Sequence, residues 1–129
     1  MRNLLFLLLF MPAMAFANQG NPSLDAISQA LSAGDVETLS KYFADNVEIS
    51  IQDNEQLYPK AKAKSVVSDF FGNNKPKSFQ QVHQGTSRES SDHYCIGNLS
   101  ATKGNYRVYL YLKSNGGKLQ INEIRFDEE

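Results

Sequence analysis

His83, Arg107 and Cys95 are the side chains with the widest chemical range in this chain, and each also has a plainer use. A histidine titrates near neutral pH, so His83 can act as a general base. In the stretch Phe79-Gln80-Gln81-Val82-His83, strand alternation groups it with Phe79 and Gln81, which points it toward whatever covers that face. The plainer reading is a structural histidine hydrogen-bonded to a neighbour. Arg107 carries a planar fork that can grip a carboxylate ligand. It can equally pair with an acid on a neighbouring strand or pack across a subunit contact. Tyr94 joins His83 and Arg107 as a candidate pocket residue. Cys95 is the single cysteine, so no internal disulfide forms. Between Tyr94 and Ile96 it reads as a buried, inert thiol. A reactive thiol would need a base beside it, and His93 is two residues away on the same strand face.

Other chemistries find less support. The two histidines, with no clustered cysteines or carboxylates at ligand spacing, make no zinc signature. Asp53-Asn54-Glu55 falls short of a calcium loop, whose ligands alternate over about twelve residues. Gly116-Gly117 has no helix behind it to cradle phosphate. No metal and no cofactor is therefore expected. The 129 residues carry 13 Lys+Arg against 14 Asp+Glu, a net charge of −1, so there is no basic face for nucleic acid. One local bias, Lys60, Lys62, Lys64, Lys75 and Lys77 against Asp69, reads as a solvated helix face or a patch for an anionic polymer.

The N-terminus has the pattern of a secretory signal peptide over residues 1–17. Arg2 precedes an unbroken apolar run from Leu4 to Met11, and Ala15-Phe16-Ala17 supplies small residues at a cleavage site. The run is too short to span a bilayer core of about 30 Å. With no cysteine at the cleavage site, a lipoprotein anchor is not expected. These features predict an exported protein, periplasmic or extracellular, without stable membrane insertion, whose single folded domain is residues 18–129.

The elements that must position the candidates follow from spacing and breakers. Asn21-Pro22 opens a helix with Leu24, Ile27, Ala30 and Leu31 on one face. Gly34 ends it, Asp35 caps a second helix, and Val36, Leu39 and Phe43 form that helix's stripe. Val47 to Ile51 alternates as a strand, with a turn at Asp53-Asn54. Ala63, Val66, Val67, Phe70 and Phe71 predict a third, amphipathic helix closed by Gly72. Four strands follow, Ser78–Thr86, His93–Thr102, Tyr106–Lys113 and Lys118–Phe126, joined by short turns as an antiparallel meander. Ser114-Asn115-Gly116-Gly117 is a strong hairpin signal. In the third of these strands Val108, Leu110 and Leu112 share one face, and Tyr109 and Tyr111 the other. Helices would cover the first face; the tyrosines form a candidate homodimer face. The last strand changes parity between Ile121 and Ile124, which predicts a bulge near Asn122.

This order of elements resembles the nuclear-transport-factor-2-like superfamily. The likeness is carried by Gly34-Asp35-Val36-Glu37-Thr38-Leu39 and Tyr42-Phe43-Ala44-Asp45-Asn46-Val47. Within it, His83-Gln84-Gly85, Tyr94-Cys95-Ile96-Gly97, Tyr106-Arg107-Val108-Tyr109, Gly116-Gly117 and Ile124-Arg125 resemble a family of exported bacterial proteins of unknown function. The resemblance implies an α+β cone, a strongly curved antiparallel sheet wrapped over three N-terminal helices, often with a pocket at its mouth. Steroid isomerases of the superfamily use an aspartate late in the first strand; the matching place here is Ile51, on a face with Val47 and Ile49 and no acid or base. The expected function is thus a non-catalytic binding or assembly module. Its cone would hold a small apolar or carboxylate-bearing ligand, and its outer face would form a homodimer. The alternative is a small lyase- or isomerase-like enzyme with His83 as general base.

Overall fold

The first corner of the chain depends on a glycine. In a computed structural model, which describes residues 22–86 and 92–129, helix α1 (Pro22–Ala33) buries Leu24, Ile27, Ala30 and Leu31. The predicted signal peptide, Asn21 and residues 87–91 lie outside the described residues. Gly34 then adopts φ +68°, and the Asp35 amide donates back to the Ala30 carbonyl at 2.8 Å. A side chain here would be strained by the positive φ and would bring its Cβ to 3.0 Å from the Pro76 ring. Asp35 caps α2 (Val36–Ser40) by accepting from the Thr38 amide at 3.1 Å. This helix is short. Phe43, expected on its stripe, is instead the first residue of strand β1 (Phe43–Ile51) and reaches the core from there.

A second strand follows where only a turn was expected. Gln52 and Asp53 both take positive φ, closing a two-residue hairpin into β2 (Asn54–Pro59). Next come α3 (Lys60–Asn73), β3 (Pro76–Thr86), β4 (Asp92–Ala101), β5 (Gly104–Asn115) and β6 (Lys118–Glu128). Gly72 lies inside α3, whose last turn closes at Asn74 through a 2.8 Å bond to the Phe70 carbonyl. The strands form one sheet in the order β2-β1-β6-β5-β4-β3. The predicted β3-to-β6 meander is antiparallel throughout, and β1 adds to it parallel to β6.

Two bulges decide which way side chains point. On β6, Tyr111 pairs with Glu123 and Leu112 with Ile121, so Asn122 is the extra residue, as the parity change predicts. Leu119, Ile121, Ile124 and Phe126 consequently all lie on one buried face. On β3, Gln81 pairs with Gly97 and His83 with Ile96, so Val82 is extra and stands 56% exposed. Gly116 and Gly117, both at positive φ, make the β5–β6 turn.

The helices cover one face of this sheet. Ala63, Val67, Phe70 and Phe71 of α3 and the buried residues of α1 meet Val108, Leu110, Leu112, Leu99, Ile124 and Phe126. Aromatic rings pack among one another on the helix-covered side: Phe70 lies 4.5 Å from Phe126 and 5.2 Å from Tyr106 between centroids, and Phe71 lies 6.0 Å from Phe126. The Tyr106 hydroxyl, taken into this core, donates to Asn74 Oδ1 at 2.8 Å, which keeps a buried polar group satisfied. Among the described residues no helix is long and apolar enough to cross a membrane.

Candidate binding face

Among the described residues the sheet's other face carries no helix, and strand register sorts its side chains into rows. From β1 through β6 and β5 to β4, one row reads Glu48, Glu123, Tyr111, Tyr94, and the next Ser50, Arg125, Tyr109, Ile96. β2 extends them with Leu57 and Glu55, and β3 with Gly85 and His83. The rows run from acidic at the β2 edge to aromatic at the β4 strand.

At the aromatic end, Gly85 leaves room for the Tyr94 ring: a Cβ there would lie 2.4 Å from ring atoms. Tyr94 OH sits 3.0 Å from His83 Nε2, with the two rings 5.5 Å apart. The Tyr111 hydroxyl donates to the Asp92 carboxylate, and that bond is the main reason its phenol is held above the ordinary tyrosine range. Thr86, Asp92, His93, Tyr94, Tyr109 and Tyr111 line a cleft of about 190 Å³. A second, broader depression of about 360 Å³ lies across Tyr109, Glu123, Arg125 and Asp127. Tyr109 lines both hollows and stands between them.

At the acidic end, carboxylate oxygens of Glu48, Glu55 and Glu123 all lie within 4.8 Å of one another. The hydrogen bond to Glu55 raises Glu48 above the usual carboxylate range, with burial and the charges of Glu55 and Glu123 adding to it. Burial chiefly raises Glu123, and Arg125, 3.9 Å away, opposes the rise.

The structure brings His83 and Tyr94 together but corrects where His83 points. Simple alternation from Phe79 predicts the helix-covered side. The bulge at Val82 reverses the parity, and His83 is exposed on the opposite face. A general base inside the cone therefore cannot come from His83. Arg107 stands apart from that pair, donating from Nε to Glu129 Oε1 at 3.0 Å, an acid just beyond the end of β6 rather than on a strand. Cys95 points into the core, fully buried, and burial pushes its thiol up to about 11, which fits the inert reading. The nearby His93 is engaged with Thr86 at 3.2 Å. Lys60, Lys62 and Lys64 lie in the first turns of α3 and Lys75 and Lys77 beyond its end, so about 14 Å of helix after Lys64 separates the two groups. Lys64 is also paired with Glu37 at 2.7 Å. Sequence reading missed the glutamate cluster: Glu55 lies on the unforeseen β2, and the parallel β1–β6 pairing that delivers Glu123 leaves no local signal.

Three helices on one side of a six-stranded curved sheet define the nuclear-transport-factor-2-like class, and solved structures agree. A nuclear-transport-factor-2-like protein of unknown function from Burkholderia xenovorans superposes with a TM-score of 0.63 at 14% identity, over 83% of this chain and 81% of that one. The chain belongs to the family described as a domain of unknown function, DUF4783, whose match spans residues 24–127. Family members of known structure are similar in sequence as well. One from Bacteroides ovatus is 33% identical with a TM-score of 0.79, over 85% of this chain and 98% of its own. One from Bacteroides uniformis is 30% identical with a TM-score of 0.76, over 81% and 95%. No curated protein matches the chain.

Proposed function

We propose that this protein is an exported, non-catalytic assembly module that forms a homodimer through its helix-free sheet face. The observation that carries this reading is Tyr109 standing between two hollows. A two-fold contact needs one patch that is its own complement, with a projection and a recess side by side. The ring of each copy would fill the other's cleft. At about 190 Å³ that cleft suits one side chain better than the roughly 300–1,000 Å³ typical of small-molecule sites. Tyrosine also suits such a surface, presenting a large apolar body at little entropic cost with a polar tip that tolerates water. Leu57, 63% exposed on the same face, adds apolar area at the β2 edge. The export half of the reading rests on the signal-peptide pattern of residues 1–17.

Native mass spectrometry of the protein purified without denaturant tests both halves. The expected spectrum shows a dimer without adduct, each copy beginning at Asn18. A monomer carrying a discrete small molecule would replace this reading with a ligand-binding cone.

A further inference from the structure

We propose that Glu48, Glu55 and Glu123, with the Ser50 hydroxyl beside them, form a binding site for a hydrated divalent cation of calcium's size. Three strands supply the carboxylates: Glu48 from β1, Glu55 from β2 and Glu123 from β6. One oxygen of each lies within 4.8 Å of the others, close enough for a central ion with Ca–O bonds of about 2.3–2.6 Å to reach all three; magnesium, which demands near-ideal octahedral geometry and gives up its waters reluctantly, suits carboxylates fixed on separate strands less well. All three are held by paired strands, so the cluster does not depend on a flexible loop.

An independent observation points into the same place. Ser50 is buried to 1% exposure, and its Oγ has no hydrogen-bond partner. It shares the outward parity of Glu48 and lies directly between Glu55 on β2 and Arg125 on β6. A buried hydroxyl without a partner costs stability unless something meets it. A cation, or a water in its shell, held by the neighbouring carboxylates would do so. Charge leads to the same ligand class. Three carboxylates face one guanidinium, that of Arg125, 3.9 Å from Glu123, which leaves a local deficit that a divalent ion matches. Tyr109 and Tyr111, which flank Glu123, are both held above the ordinary tyrosine range, Tyr109 by burial first and Tyr111 by its bond to Asp92 first, so neither adds negative charge.

The site shares Glu123 and Arg125 with the hollow beside Tyr109, but all three carboxylates come from one chain, so it needs no second copy. Its few protein ligands and open side place the affinity with the weaker extracellular calcium modules, at a Kd of about 10⁻⁴–10⁻³ M. The test uses the full chain as its host processes it. The chain has no tryptophan, so tyrosine excitation reports directly on a bound lanthanide. Terbium is expected to give tyrosine-sensitised luminescence that calcium displaces and magnesium displaces far less. Calcium is expected to raise Tm, as any ligand of the folded state does. Glu55→Gln, at an exposed position that leaves the core untouched, should weaken both responses by about tenfold or more, because affinity tracks ligand charge. Glu123→Gln serves as the second variant. Absence of calcium-displaceable luminescence and of a Tm rise in the unaltered chain overturns the proposal. So does an undiminished response in both variants.

Discussion

The two faces of this sheet are made by the same strands and separated by one residue of register, yet they do opposite work. Toward the helices, β5 and β6 present Val108, Leu110, Leu112, Ile121, Ile124 and Phe126, all fully buried. Away from them, the alternate positions present Arg107, Tyr109, Tyr111, Glu123 and Arg125, half-exposed or exposed. The inner face has apolar side chains and rings in contact, and among the described residues no charged side chain is buried there. The outer face holds the clustered carboxylates, the His83–Tyr94 pair and both hollows beside Tyr109. Apolar packing and polar display are thus divided by parity, and the bulges at Val82 and Asn122 are where the chain reassigns residues between them.

The strongest way to break this division is to damage adjacent residues on one strand. Phe126→Ala is expected to cost about 3–5 kcal/mol in urea unfolding, the usual loss for a buried ring. Arg125→Ala, the next residue but on the other face, should cost less than about 1 kcal/mol, because its ion pair with Glu123 is partly solvated. Comparable losses at the two sites would remove the distinction. Gly97→Ala tests the inner face through crowding. Its Cβ would lie 2.3 Å from the Phe79 ring and 2.7 Å from the Gln80 carbonyl, and the backbone atom has little room to yield. A loss of about 1–3 kcal/mol is expected.

Cys95 sharpens the comparison through pH. Burial raises its thiol from 9.0 to about 11, so the folded state keeps the proton after the unfolded state has lost it. The stabilisation is complete below the unfolded value and declines as pH rises through the interval up to the folded one. Between pH 9.0 and about 11 unfolding free energy should fall by about 1.4 kcal/mol per pH unit from this group. Cys95→Ala should flatten that slope, and thiol labelling of the native protein at neutral pH should proceed only at the rate of unfolding. The smallest effect is expected on the outer face. His83→Ala removes one exposed hydrogen bond to Tyr94 and should change stability by no more than about 1 kcal/mol.

Much of the inner face is legible in the sequence, because a helix-covered strand must alternate and an amphipathic helix must repeat. Leu24, Ile27, Ala30 and Leu31, the α3 stripe and the parity switch at Asn122 all announce themselves through apolar spacing. The outer face is less legible. β2 has no buried residue, so Glu55, Gln56 and Leu57 show no period, and its hairpin uses Gln52 and Asp53 rather than the glycine that signals such turns. The bulge at Val82 has no marker either, since Gln81, Val82 and His83 read as uninterrupted strand. The tyrosines of β5 were visible as a pattern. The glutamate cluster was not, because it exists only once β1 lies parallel to β6.

The claim that the helix-free face is the working surface is tested most directly by sedimentation of the unaltered chain against Tyr109→Glu. A charge at that ring should halve the mass in solution while leaving the circular dichroism spectrum and the urea midpoint nearly unchanged. An unchanged mass with the fold intact would contradict the account and move the contact elsewhere.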